Sequence, residues 1–240
     1  MADPLDMYQN KVFSQFGEDG ITNYIFEVIG IDTQYYVEIG TQDGSECNTR
    51  FLREKLHWSG LQLDAKYEND AINLRKHMVT RDNIIEILKS YDVPQKFDYF
   101  SLDIDGIDWY ILREVLKHYE VRAFVCEYNA CLGADRDQVI EYDEEFWDAG
   151  PYNIYHGASL KAFLSLAQKY GYLLVYSNGV NAFFVNEKHW TGPEDFPDSN
   201  DLSVLWKDYP EFLGYRFVHD HPSHTHANFN TAQLLLQLDE

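Results

Sequence analysis

The chain has 240 residues, and 40 aspartates and glutamates against 19 lysines and arginines leave a formal net charge of −21. Such a surface repels a phosphate backbone, so no nucleic-acid partner is expected; solubility is the plain reading of the charge, and steering of a cationic substrate the sharper one. Hydrophobic residues make up 45% of the chain, yet no apolar run approaches the ~20 residues of a membrane span, so a soluble globular protein without a membrane partner is expected.

The opening MADPLDMYQNK lacks a basic start followed by an apolar core, so no signal peptide is expected. Three cysteines (Cys47, Cys126, Cys131) without metal-type spacing suit a reducing, cytoplasmic setting. Ser14-Gln15-Phe16-Gly17-Glu18-Asp19 precedes Ile21, Tyr24, Ile25, Val28 and Ile29, spaced as one helix face, with Ser14 placed to cap and two acids at the positive end. The helix reads as a cover on a sheet, and its polar entry turn can also close over a ligand. The first strand, Tyr35-Tyr36-Val37 with Ile39, breaks into Gly40-Thr41-Gln42-Asp43-Gly44. Glycines there permit positive φ and a close backbone approach, and a following helix offers free N–H groups. A helix is predicted over 48–58, then a second strand, Gly60 to Asp64. Asp64 falls twenty residues after Gly44, the place where open parallel sheets hold a ribose by its hydroxyls.

A second amphipathic helix is predicted over 66–77 and a short strand over 78–80. Arg81-Asp82-Asn83 then opens a helix over 84–91, and these polar residues either cap it or meet a base edge. Phe97 to Ile104 is the fourth strand, leading through Asp105-Gly106 into a helix, and Ala123 to Tyr128 is the fifth. The alternation predicts a parallel sheet covered on both faces, with right-handed crossovers. Residues 129–157 have no clear period and read as a lid or an irregular insertion. A helix over 159–171 and a hairpin, 172–176 and 181–185 around Ser177-Asn178-Gly179, complete the plan. The expected fold is α/β: one doubly wound, mostly parallel seven-stranded sheet over 1–186, five parallel strands finished by a C-terminal antiparallel hairpin. The extension 187–240 is Pro- and Asp-rich at first, then carries a short helix over 201–208. Its apolar tail, 234–238, packs on the domain or on a second subunit, so a homodimer is an open expectation.

In an open parallel sheet the ligand lies beyond the carboxyl strand ends. Here these carry Glu38 and Asp43, Asp64, Asp103 and Asp105, and Glu127 and Asn129. Alternate residues share a face, so on neighbouring strands about 4.8 Å apart Asp103, Asp105, Glu127 and Asn129 converge. Crowded carboxylates repel unless a cation or shared protons intervene, and hard oxygen ligands suit magnesium, manganese or calcium. A plainer reading has Asp105 capping a helix, Asp103 binding a ligand amine or water, and Glu127 paired with an arginine. His219, His221, His224 and His226 form H-x-H-x-x-H-x-H, which fits no zinc module. They read first as a polar loop and second as a source of a base or metal ligand. His156 is another candidate base. With no G-x-S-x-G, P-loop or H-E-x-x-H motif, nothing points to a serine or cysteine nucleophile.

The segments VEIGTQDG, GLQLD, FDYFSLDIDGIDWY, CEYNA, GASLKAFLSLAQKYGY and NGVNAFFV occur in this order. From about Ser14 to Val185 the chain thus resembles the S-adenosylmethionine-dependent methyltransferases of the FkbM-like group, especially members opening with SQ-x-GEDGI. The resemblance implies a class I, Rossmann-like methyltransferase that moves a methyl group from S-adenosylmethionine to a small-molecule acceptor, expected to be an oxygen nucleophile. It implies that Glu38, Gly40 and Gly44, with Asp43 in the same turn, line the methionine end, that Asp64 holds the ribose, that Asp82 or Asn83 lies by the adenine, and that Asp103 is near the sulfonium. The Asp103/Asp105 and Glu127/Asn129 pairs also look like the metal positions of magnesium-dependent O-methyltransferases, whereas the turn Asp103-Ile104-Asp105-Gly106 departs from the group's DxEG-like pattern.

On this reading Mg2+ or another divalent cation at Asp103, Asp105, Glu127 and Asn129 lowers the acceptor's pKa, and Asp105, His156 or His221 takes its proton. The loop 129–157, with Tyr128, Trp147, Tyr152 and Tyr155, covers the acceptor. Two other readings compete. A nicotinamide-dependent oxidoreductase shares the strand–glycine–acid pattern, although its G-x-G-x-x-G is absent. A non-catalytic S-adenosylmethionine-binding or scaffold protein would keep the fold without turnover.

Overall fold

A computed structural model describes residues 3–144, 156–193, 196–208 and 229–237. Apolar, β-branched and aromatic runs form the strands β1 (Tyr35–Ile39), β2 (Ser59–Asp64), β3 (Leu74–Lys76), β4 (Lys96–Leu102) and β5 (Glu120–Glu127). Two short strands, β6 (Val139–Ile140) and β9 (Phe229–Asn230), pair with each other, and β7 (Tyr172–Ser177) and β8 (Asn181–Asn186) form the hairpin. The main sheet runs β3-β2-β1-β4-β5-β8-β7; the first five strands are parallel, and β8 is antiparallel to both its neighbours. The expected plan of five parallel strands and a terminal hairpin is what the chain adopts. Strand order reverses between β1 and β4, and such a switch point opens a crevice at the carboxyl edge.

Strand alternation sorts the core into two layers. Val37, Ile39, Phe100, Leu102, Phe124 and Phe184 face one side, where α3 (Ile84–Ser90), α4 (Asp108–His118) and α5 (Leu160–Lys169) pack. Tyr36, Tyr99, Val125, Phe183 and Val185 face the other, covered by α1 (Glu18–Ile29) and α2 (Arg50–Lys55). Ile21, Ile25, Phe26 and Ile29 bury the inner stripe of α1, at about 1.5–3 kcal/mol each. The predicted covering helix is therefore present. Its cap position is held by Gly17 (φ 98°), while Ser14 Oγ accepts from Asp19 N at 3.1 Å.

The helix predicted over 66–77 does not form. The Asn69 side chain accepts from Ala71 N at 3.1 Å, which starts a 3-10 turn at Asp70–Ile72, and Asn73 adopts φ 52°. Asn73 Nδ2 then donates to Gly60 O at 2.7 Å. These bonds dock Leu74–Lys76 on β2, so the third strand comes before the predicted 78–80. Local Asn chemistry outweighs helical spacing in this segment.

In the extension, α6 (Leu202–Leu205) is shorter than predicted, and α7 (Ala232–Gln237) packs on α5. Lys169 Nζ donates to Leu236 O at 2.8 Å, and Leu235 and Leu236 join the core. The described part of the tail thus lies on the domain. Candidate His221, with the whole 219–226 histidine run, and Trp147, Tyr152 and Tyr155 lie outside the described residues. Among the described residues no helix is long and apolar enough to cross a membrane.

Candidate active site at the carboxyl edge of the sheet

The turn after β1 is where the backbone comes closest to a neighbouring strand. Gly40 has φ 89°, and a Cβ there would lie 1.6 Å from Asp103 O. Gly40 N donates to Leu63 O at 2.9 Å and Asp103 N donates to Ile39 O at 3.0 Å, so the turn is pinned between β2 and β4. Gly44 has φ 77°, and a Cβ there would meet Ile72 Cδ1 at 2.6 Å. Asp64, at the end of β2, accepts from Gln42 N at 2.9 Å through Oδ2, and from Lys66 N and Tyr67 N at 2.7 and 3.1 Å through Oδ1. The predicted glycine turn and the predicted acid therefore touch.

Other expected cofactor residues are spent locally. Glu38 is buried and accepts from Asn48 N (2.8 Å), Thr49 N (3.1 Å), Thr49 Oγ1 and Ser101 Oγ (3.2 Å). With four donors on its carboxylate it holds the start of α2 in place. Asp43 is exposed and accepts from Ser45 N and Oγ, bonds that hold its carboxyl below the usual range. Asp82 is likewise exposed and lowered by Arg81, at 2.8 Å. Asn83 accepts from Thr80 N (2.8 Å) and donates to Met78 O (2.9 Å), stapling the turn before α3.

Next to the glycine turn lies an acidic cluster. Leu102 of β4 pairs with Cys126 of β5, so Asp103 and Glu127 come next in the row, and their side chains hydrogen-bond. Burial pushes both carboxyls well above the usual range, and Asp105 and Asp108 push them further. Two carboxyls in such contact hold a proton between them. Asp108, rather than Asp105, caps the turn into α4: it accepts from Ile104 N (2.9 Å) and Gly106 N (2.8 Å). Burial raises its pKa to about 6 against the pull of those amides.

Asp105 is freed from that duty. It sits at φ 58° with its side chain exposed, and its carboxylate converges with the carboxylate of Glu127 and the imidazole of His156, one ligand atom from each lying within 4.8 Å of the others. Asn129, an expected oxygen ligand, is held locally. Its Oδ1 accepts from Cys131 N at 3.1 Å and its Nδ2 donates to His156 O at 3.0 Å. Gly157 N donates to Gly106 O (3.1 Å), and Asn129 N donates to Ala158 O (2.8 Å). These bonds stitch His156 between the loops after β4 and β5. His156 is thereby held beside Asp105 and Glu127.

Two groups absent from the expected set complete the edge. Glu18, buried at the start of α1, accepts from Phe16 N (2.7 Å), Asn178 Nδ2 (2.7 Å) and Asn181 Nδ2 (3.0 Å). Asp19 Oδ2 accepts from Val12, Phe13 and Ser14 N at 2.6–2.9 Å. The entry turn of α1 thereby lies over the ends of β5 and β8, where Asn181 pairs with Glu127. The readable signal was the adjacent Glu18-Asp19 before a helix, together with an Asn heading the second hairpin strand.

No family model matches the sequence, and no curated protein matches it. Solved structures resemble it in chain path. TrmK of M. capricolum, in complex with S-adenosyl-homocysteine, is 13% identical over 72% of this chain and 70% of that one, with a TM-score of 0.40. A putative O-methyltransferase from Klebsiella pneumoniae is 13% identical over 69% and 78%, with a TM-score of 0.40. A SAM dependent methyltransferase from Aquifex aeolicus is 10% identical over 68% and 86%, with a TM-score of 0.36.

The chemistry available at the edge follows from its own residues. Backbone at Gly40–Gly44 and a carboxylate at Asp64 form one half. A proton-sharing pair, a second carboxylate and an imidazole form the other. Burial pushes the thiols of Cys47, Cys126 and Cys131 up, so none supplies a thiolate.

Proposed function

We propose that the chain transfers a methyl group from S-adenosylmethionine to a small-molecule acceptor held beside Asp103, Asp105, Glu127 and His156. The observation that carries this reading is the Gly40 turn, where side-chain-free backbone is wedged between β1 and Asp103 and lies against Asp64. The turn fits the donor. A carboxylate oxygen accepts two hydrogen bonds, and Asp64 Oδ2 takes one from Gln42 N, so a ribose hydroxyl can be accommodated. When bound, S-adenosylmethionine supplies an electrophilic methyl group on sulfur. The chain's own part is to orient the acceptor, which accounts for most of the acceleration in an in-line displacement. His156 takes the acceptor's proton, and the turn Ser14–Asp19, tied through Glu18 to the hairpin, limits water at the edge.

A second reading is favoured by the convergence of Asp105, Glu127 and His156 within 4.8 Å. These three would hold a divalent cation, which would lower the pKa of an oxygen acceptor. An imidazole in the set moves the preference from Mg2+ toward Mn2+ or Zn2+.

Thermal melting with S-adenosylhomocysteine, and separately with NAD, tests both readings. A ligand at ~100 times its Kd adds about 2.7 kcal/mol, or about 5–10 °C for a chain of this size. A rise with S-adenosylhomocysteine is expected. A rise with NAD alone would replace the reading by the oxidoreductase, and binding without turnover by the scaffold. A further rise with Mn2+, reversed by chelator and lost in Glu127→Gln, is the outcome expected for the cation.

A further inference from the structure

The register of the sheet sets one row of residues across its carboxyl edge: Gly40 after β1, Asp103 after β4, Glu127 ending β5 and Asn181 opening β8. Alternation puts Asp103, Glu127 and Asn181 on the side of Tyr99, Val125 and Phe183, the layer that α1 covers. Asn181 is 4% exposed, and its Oδ1 accepts no hydrogen bond among the described residues. Its orientation is fixed, because Nδ2 donates to Glu18 Oε1, an atom that can only accept and that already holds Asn178 Nδ2. A buried acceptor without a donor has lost its water and gained nothing in return, so Asn181 Oδ1 points to a ligand that brings the donor.

The surroundings say what kind of donor. Glu127 on the neighbouring strand, Asp103 one strand further and Asp105 beyond are carboxyls, and the charges that act most strongly on the Asp103–Glu127 pair are other carboxyls. The described arginines near these strands are engaged elsewhere: Arg50 with Glu54, Arg53 with Gln62 and Gly44 O, Arg81 with Asp82, and Arg122 with Asp98. A hydroxyl brings one donor and no charge. An ammonium brings up to three donors and the missing positive charge. Resting on the methyl-transfer reading, we propose that the acceptor substrate is an amine, entering as its ammonium and donating to Asn181 Oδ1 and to the Asp103–Glu127 pair; His156 then takes one ammonium proton, and the freed nitrogen lone pair bonds to the methyl carbon as the carbon–sulfur bond breaks, leaving S-adenosylhomocysteine. The oxygen acceptor expected from the resemblance supplies neither the charge nor the donor count.

The test uses the full chain labelled with 15N-asparagine, the Asn181 side-chain resonance being assigned by its loss in Asn181→Leu. Ethylammonium chloride is titrated against sodium chloride at equal ionic strength and against ethanol. The expected result is a saturable shift of that resonance with ethylammonium at low-millimolar concentration, absent with the two controls and weakened at least tenfold in Glu127→Gln. No shift by 100 mM, an equal shift with ethanol, or an unchanged affinity in Glu127→Gln would overturn the proposal. So would a divalent cation that saturates the site and excludes ethylammonium, which would favour the metal. S-adenosylhomocysteine is titrated separately and followed at the Gly40 and Gly44 amides. Its failure to bind would remove methyl transfer while leaving the ammonium result intact.

Discussion

At the scale of single residues, the edge is a compromise between folding and function. Gly40 is the clearest structural case: with Asp103 O 1.6 Å from where a Cβ would sit, Gly40→Ala forces β1 and β4 apart. The expected loss is about 2–4 kcal/mol, read as a lower denaturant midpoint, and binding of S-adenosylhomocysteine falls with it. Glu127 is the opposite case. Its folded pKa is raised above its ordinary 4.5, so the native chain keeps a proton that the unfolded chain has released. Stability from this group is therefore full below pH 4.5 and falls as pH rises toward the raised value. Glu127→Gln keeps a donor for Asp103 and removes that loss. It should stabilise the chain at pH 7.5 by about 1–3 kcal/mol, and the gain should fade toward pH 4. A constant gain at all pH values would mean that the carboxyl is not held protonated by its surroundings.

At the scale of elements, the decisive piece is the junction of 129–132 with 156–158, within a stretch (129–157) that the sequence marks only by its lack of period. Asn129 makes this junction through Cys131 N and His156 O. Asn129→Ala removes both bonds, should cost about 1–3 kcal/mol, and should lower turnover more than cofactor affinity, since Gly40 and Asp64 are untouched. Equal losses in both would place His156 outside the reaction. The strands and the Gly40–Asp64 pair were legible because apolar runs, glycines and spacing are local signals. The third strand was not, because Asn69 and Asn73 turn the chain through side-chain bonds that a periodicity count does not weigh. Nor was the approach of His156 to Asp105 and Glu127. Strand alternation places residues on a face but says nothing of what a later loop brings back to it, and the same limit hid Glu18 against Asn178 and Asn181.

At the scale of the whole molecule, the charge of −21 acts in two ways that salt separates. Exposed acids repel one another across the surface, and at ~0.01 M salt the screening length of about 30 Å lets most of them interact; at ~0.3 M it falls below 10 Å. Melting temperature should therefore rise by several degrees between these conditions. The Asp103–Glu127 pair at the carboxyl edge is different, because its members are partly buried and in contact, and mobile ions screen such pairs much less. The stability gap between wild type and Glu127→Gln should thus survive the same change of salt, staying within about 0.5 kcal/mol of its low-salt value. The two variants melted at both salt concentrations at pH 7.5 make the comparison directly. If the gap closes as salt rises, the repulsion at Glu127 belongs to the surface field. If it persists, the edge holds a local excess of negative charge that surface screening does not relieve, and a bound positive charge is what remains to balance it.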